Sequence, residues 1–164
     1  MLRLLFVFLT SFSLSYLLLW GTDGEASPVF GSINSVLFVL GAMFGALSFA
    51  FFNYVEGVMK DIPKKLKFQN LELYSLVVSL LTDLKREVIS NVLLVVVLLL
   101  TAFFAGAVAE MDFLHRLNFS SYSTWGIQSV RGACFLSIIV VVCVQLGGFV
   151  TANSLREEVS MYGE

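Results

Sequence analysis

Four apolar runs, Leu2 to Trp20, Ile33 to Phe52, Val88 to Ala109 and Ala133 to Ala152, carry almost no charge. A helix needs about 20 apolar residues to cross the hydrocarbon core of a bilayer, and each run is close to that length. With 58% hydrophobic residues and a mean hydropathy of +0.89, the chain has too little polar surface to clothe a soluble core of its size. The runs predict an all-α integral membrane protein with four transmembrane helices. At 164 residues the chain reads as a single membrane domain, 1–164. The spans take up about half of it, so no soluble enzyme domain fits in the rest.

An apolar run behind Arg3 can also be read as a signal peptide. The apolar region of a signal peptide is only ~7 to 15 residues long and precedes a small-residue cleavage site. The first run is longer, and Gly24-Glu25-Ala26 is a poor cleavage site, so the expectation is a retained span. Cys134 and Cys143 both fall in the fourth run. Nine residues apart on a helix, they are separated by about 13 Å along its axis, too far for a disulfide within one chain.

The net charge of -2 conceals an asymmetry. Six of the ten Lys and Arg residues, Lys60, Lys64, Lys65, Lys67, Lys85 and Arg86, lie between the second and third runs. Basic loops stay on the cytoplasmic side, so segment 53–87 is expected inside, with both termini cytoplasmic. Arg3 and Arg156 then add to the inner side, while Arg116 and Arg131 fall on the outer one. The outer loops are 21–32, turn-like through Gly21, Gly24, Ser27 and Pro28, and 110–132. The second carries Phe113, Leu114, Leu117, Phe119, Tyr122 and Trp125, an aromatic set suited to the headgroup layer.

Within the inner segment the second helix is expected to run on to about Asp61 and to stop at Pro63, which lacks an amide donor and disfavours helix at Ile62. From Glu72, Leu73, Leu76, Val77, Leu80, Leu81 and Leu84 recur at three- and four-residue spacing, an amphipathic pattern leading without a breaker into the third run. One long helix over 72–109 follows. Its apolar stripe can lie in the interface, pack on its own bundle, or meet a partner through Leu73, Leu76, Leu80 and Leu84. A surface-lying helix carries a basic polar face, whereas this one mixes Glu72 and Asp83 with Lys85, which favours protein contact. Lys64, Lys65 and Lys67, beside Lys60, suit the anionic inner leaflet, at about 1 kcal/mol per residue near the surface. Topology alone requires that cluster, so direct nucleic-acid binding is not the expectation.

Small residues at four-residue spacing let helix backbones approach closely where lipid supplies no hydrophobic drive. Gly41 and Gly45 form such a pair in the second run, Ala102 and Gly106 in the third, and Cys143 and Gly147, followed by Gly148, in the fourth. One four-helix bundle can consume them all, but the expectation is a homo-oligomer. No Asp, Glu, Lys, Arg or His lies well inside any run, which argues against a proton-coupled carrier or a voltage sensor. Gln145 is the polar exception, sharing a face with Cys134, Ser137, Val141 and Gly148. It reads first as an interhelical hydrogen bond and second, with Ser137, as part of a pore lining. Thr10, Ser11, Ser13 and Ser15 form a weaker patch, since hydroxyls also bond back to their own helix.

Enzymatic chemistry has little footing. Glu110, Asp112 and His115 are close in sequence and could in principle hold a metal, but no HExxH, Gly-rich phosphate loop or GxSxG completes a site. No catalytic residue, cofactor or metal is expected. Asn118-Phe119-Ser120 forms a glycosylation sequon of the kind that arises often by chance.

In size and layout, with termini inside, a basic helical inner segment at Lys60 to Arg86 and short outer loops, the chain resembles the small four-helix membrane subunits of bacterial anti-phage systems, that of Kiwa (KwaA) in particular. The resemblance implies a multimer that senses infection at the inner membrane and works with a cytosolic DNA-binding partner. Three readings follow: an oligomeric scaffold or sensor docking a cytosolic effector, a channel or holin-like pore, and an accessory subunit of a transport or respiratory complex. A pore asks for a continuous polar stripe, and Val, Leu and Phe interrupt the stripes present here.

Overall fold

A computed structural model describes residues 2–109 and 121–160, and all the regular structure in them is helical. The helices are α1 (Leu2–Gly21), α2 (Ser27–Asp61), α3 (Lys64–Gln69), α4 (Leu71–Ala109) and α5 (Ser121–Ser160). Three of them, α2, α4 and α5, are long and apolar enough to cross a membrane; α1 is a shorter apolar helix, described over Leu5–Gly21.

Local chemistry accounts for most of the boundaries. Pro28 sits in the first turn of α2, where its missing amide and fixed φ do no harm, so the helix starts ahead of the apolar run. Pro63 separates α2 from α3, as its ring chemistry predicts. Asn70 caps α4: its Oδ1 accepts a hydrogen bond from the Leu73 amide at 3.0 Å. The outer segment 110–132 departs from expectation, since α5 begins at Ser121 and takes in residues read as loop. Apolarity marks only the membrane-length part of a helix, and nothing between Ser121 and Arg131 apart from Gly126 opposes helix. Arg131, counted above as a loop cation, is thus helical and only 4% exposed. Residues 110–120, with the metal-type trio and the sequon, lie outside the described residues.

The chain divides into two compact units, Met1–Ala42 with Leu94–Val141, and Met43–Leu93 with Val142–Glu164. In the first, α5 is the most covered helix, burying Ser129, Ala133, Cys134, Ser137, Ile138 and Val141. Gly132 sets the closest approach: a Cβ there would come within 2.5 Å of the Phe30 ring and 2.6 Å of Ser15 Oγ. In the α1–α2 turn, Asp23 and Gly24 adopt positive φ, and a Cβ on Gly24 would meet Trp125 Nε1 at 2.8 Å. Glycine there answers both the left-handed backbone and the indole. Ser27 Oγ also donates to Gln128 Oε1 at 2.8 Å.

The second unit has its own hydrophobic core. Val55 and Val58 of α2, Leu66 of α3, Val77, Leu81 and Val88 of α4, and Ala152 and Val159 of α5 are buried together with Phe51. All but Phe51, Val88 and Ala152 lie in the inner segment or the C-terminal end of α5, beyond the membrane-length runs. α3 closes this core through Leu66, which is fully buried.

Candidate functional site

The second unit gathers most of the residues singled out in the sequence, and it separates them into three settings. The first is the amphipathic stripe of α4. Leu73 and Leu84 are half-buried against the inner core, alongside Val77 and Leu81. Leu76 and Leu80 are turned away from it, 55% and 39% exposed. The stripe thus divides between packing on its own bundle and an uncovered face. That face also carries Glu72, Ser79, Asp83 and Glu87, all exposed. Nearby in sequence, Leu71 is exposed and Phe68 is 88% exposed. Lys67 is exposed as well, whereas the side chains of Lys64 and Lys65 lie outside the described residues.

The second setting is a rim of charge on the same unit. Glu56 accepts from Lys60 at 3.0 Å, with Lys85 at 3.5 Å, and Arg156 stands 3.9 Å from Asp61. Lys60, then Lys85, hold the Glu56 carboxyl below its ordinary range. The Lys85 ammonium lies 4.4 Å from the centre of the Phe52 ring, and Tyr54 Oη donates to Asn153 Oδ1 at 3.0 Å. These contacts begin where the apolar run of α2 ends.

The third setting is intramembrane in character. Gln145 is buried at 3% exposure, and its Nε2 donates to Ser48 Oγ at 2.9 Å. Its Oε1 is buried and has no hydrogen-bond partner. Gln145 is also one of the residues around a groove of about 330 Å³, formed by Leu47, Ala50, Phe51 and Tyr54 of α2 with Gln145, Leu146 and Phe149 of α5. The Phe149 ring packs edge-on to Phe51 with centres 5.7 Å apart and tilted on Tyr54 at 5.0 Å. Ser48, buried and at four-residue spacing from Phe44 and Phe52, gave no signal in the sequence beyond being a hydroxyl in an apolar run. A buried Gln announces that it needs a partner but not which residue supplies it.

The small residues also part ways. A Cβ on Gly41 would meet Leu99 Cδ1 at 2.7 Å, so Gly41 is where α2 and α4 close up in the first unit. A Cβ on Gly45 or Gly147 would meet nothing within 4 Å. Ala102 and Gly106 are buried, while Gly148 lies in ordinary contact distance of Phe51 and Leu84. Ser137, offered with Gln145 as a pore lining, is buried within the first unit. Thr10 bonds back to Phe6 and Val7, as expected for a helix hydroxyl. Among the described residues no group of His, Cys, Asp and Glu is placed to hold a metal.

Compared with known protein families, curated proteins and solved structures, the chain matches no family model, no curated protein and no solved structure.

Proposed function

We propose that this chain is an oligomeric membrane scaffold or sensor that docks a cytosolic effector through its inner helical segment. In this reading α1 joins α2, α4 and α5 as a fourth span, both termini are cytoplasmic, and Lys60, Lys64, Lys65 and Lys67 lie near the anionic inner leaflet. One observation carries the docking step. The inner segment already has a satisfied core, with Leu66, Val77 and Leu81 buried, yet it leaves Phe68, Leu71, Leu76 and Leu80 uncovered. Apolar area left in water costs about 25 cal/mol per Å², so side chains kept outside a complete core are best explained by a partner that covers them.

The chemistry of the face describes that partner. Leu76 and Leu80 lie among Glu72, Asp83 and Glu87, which matches a protein offering apolar anchors flanked by Lys or Arg. A basic effector of this kind agrees with the DNA-binding partner that the resemblance to anti-phage membrane subunits implies, and it sets the proposed role in defence at the bacterial inner membrane.

The test changes Leu76 and Leu80 together to Asp in the full chain. Native mass and bound proteins are then read after gentle detergent extraction. The expected outcome is unchanged insertion and homo-oligomer mass with the soluble partner lost. Retention of the partner by the double variant would sink the docking step. A homo-oligomer that holds no protein but conducts ions in a planar bilayer would point instead to the pore.

A further inference from the structure

We infer that the uncovered face of α4 is occupied by α3 of an adjacent copy of this chain, with Phe68 packing on Leu76 and Leu80 and Lys67 beside the carboxylates of the face. The inference rests on the oligomeric part of the proposed function and deepens it: an effector that docks on this face claims it from a neighbouring copy.

The charge pattern of the face selects its occupant. At 100° per residue, Glu72, Leu76, Leu80, Asp83 and Glu87 fall within about 80° of arc on α4, and all five are exposed. Arg86 lies outside that arc, about 80° from Leu76. Two leucines framed by three carboxylates suit apolar anchors with cations beside them. A second α4 in the same orientation brings carboxylates against carboxylates, and like charges set face to face oppose association.

The chain itself carries the matching element. The sequence of α3, Lys64-Lys65-Leu66-Lys67-Phe68-Gln69, sets an aromatic ring among cations. Leu66 is buried in the chain's own core, and Phe68 lies about 200° further round the helix, so the fold that covers one turns the other out. Phe68 is 88% exposed, and Lys67 beside it is exposed as well. Elsewhere on this unit, Lys60, Lys85 and Arg156 already stand against Glu56 and Asp61 of their own chain.

The heights agree. Copies inserted the same way up are related by rotation about the membrane normal, so a contact between them joins points at equal height. In the proposed topology α3 lies between Asp61, nine residues and about 14 Å past Phe52, and Leu71, seventeen residues and about 26 Å from Val88. Leu76, twelve residues from Val88, stands about 18 Å out, in the same band. Headgroups reach only about 5–7 Å past the hydrocarbon core, so the bilayer does not cover the ring. A lysine feels the leaflet's potential across a further gap of about 8 Å, but a ring is covered only by contact. An oligomer joined by α3 on α4 is head-to-tail and closes as a ring of copies.

Oligomer mass is expected to survive changes at Leu76 and Leu80, so the contact is read by disulfide formation. Two differently tagged full-length copies are co-expressed, one with Lys67→Cys and the other with Ser79→Cys, both at exposed positions. Exposed Cys143 is changed to Ser in each, and buried Cys134 stays. The purified protein is oxidised with copper phenanthroline, and native mass is read on the same samples. The expected result is a disulfide joining the two tags within the oligomer. Thr82→Cys, about 120° from Leu76 round α4, should link to Lys67→Cys about tenfold less. Phe68→Asp, or Asp83→Lys with Glu87→Lys, all at exposed positions outside the core, should each cut the 67–79 yield about tenfold. An oligomer without that disulfide, equal linking at 79 and 82, or links only between two Ser79→Cys copies would overturn the inference, leaving lipid or the effector to cover Phe68. A monomer would overturn it together with the oligomeric reading. A 67–79 disulfide in an oligomer that holds no soluble protein would sustain it while sinking the docking of an effector.

Discussion

The two halves of α4 both leave apolar side chains uncovered but ask to be read in opposite ways. Along its membrane-length part, Leu93, Leu100 and Phe104 are as open as Leu76 and Leu80 are in the inner part. In a bilayer, exposure of Leu93 or Phe104 carries no penalty, since lipid tails are as apolar as the side chains themselves. In water the same exposure is costly, and in the part of α4 before Val88, Val77 and Leu81 turn into a common core with Val55, Val58, Leu66 and Val159. Leu76 and Leu80 are what that core leaves over. Identical side chains on one helix thus carry different information depending on the solvent they meet.

The largest effect should come from attacking the inner core. Leu81→Asp puts a carboxylate where the side chain is fully buried, and it should cost about 3 kcal/mol or more. Limited proteolysis should then cut within 53–87, whereas Leu76→Asp, on the uncovered face, should leave the protease pattern unchanged. Equal sensitivity of the two would erase the division of the stripe.

The small-residue pair sharpens the comparison within the membrane-length parts. Gly41→Leu drives a side chain into Leu99 and should destabilise the chain's own packing by about 1–3 kcal/mol, read as a lower unfolding midpoint in detergent. Gly45→Leu meets open space, so its midpoint should hold. Any drop in oligomer mass caused by Gly45→Leu alone would report contact between copies. Ser48→Ala comes next. It strips Gln145 of its hydrogen-bond donor's acceptor in an apolar setting, and about 0.5–2 kcal/mol of stability should go with it. A neutral result would mean that the amide is hydrated.

The smallest effect belongs to the charged rim. The Glu56 carboxyl is held below its ordinary value of 4.5 by Lys60 and Lys85. A depressed carboxylate contributes stability that is fully present above that value and fades as pH falls through the folded one. The Glu56 side chain is 38% exposed, so the contribution is slight and screened by salt. Glu56→Gln should lower the low-salt stability slightly at neutral pH and leave it unchanged well below the ordinary value of 4.5, which flattens the acid limb of the profile. A variant that loses as much stability at neutral pH as at acid pH would show that packing, not charge, matters at this position.

Several parts of this molecule were legible in the residues before any contact was known. Pro63 marks a helix stop wherever it sits, because the missing amide and the steric limit on Ile62 travel with the proline. The unbroken helix through Glu87 and Val88 follows from good helix formers and the absence of Gly or Pro over Leu71–Ser90. Less was legible where polar helix continues past an apolar run. The extension of α5 back to Ser121 carries no hydropathy signal, so hydropathy alone predicts a loop there. Gly132 belongs to no pair of small residues at four-residue spacing, yet Phe30 and Ser15 close on it more tightly than Leu99 does on Gly41.

What the sequence determined by itself is the apolar length of the helices, their stops and the skew of basic charge, because each is a sum over neighbouring residues and lipid reads such sums directly. Only the tertiary structure decided that Leu73 and Leu84 pack inward while Leu76 and Leu80 do not, that Gly41 meets a neighbour and Gly45 meets none, and that Gln145 finds Ser48 across 97 residues of chain. The reason is geometric. A helix presents a residue every 100°, so which side of a stripe is covered depends on where distant segments come to rest, and no local pattern carries that information.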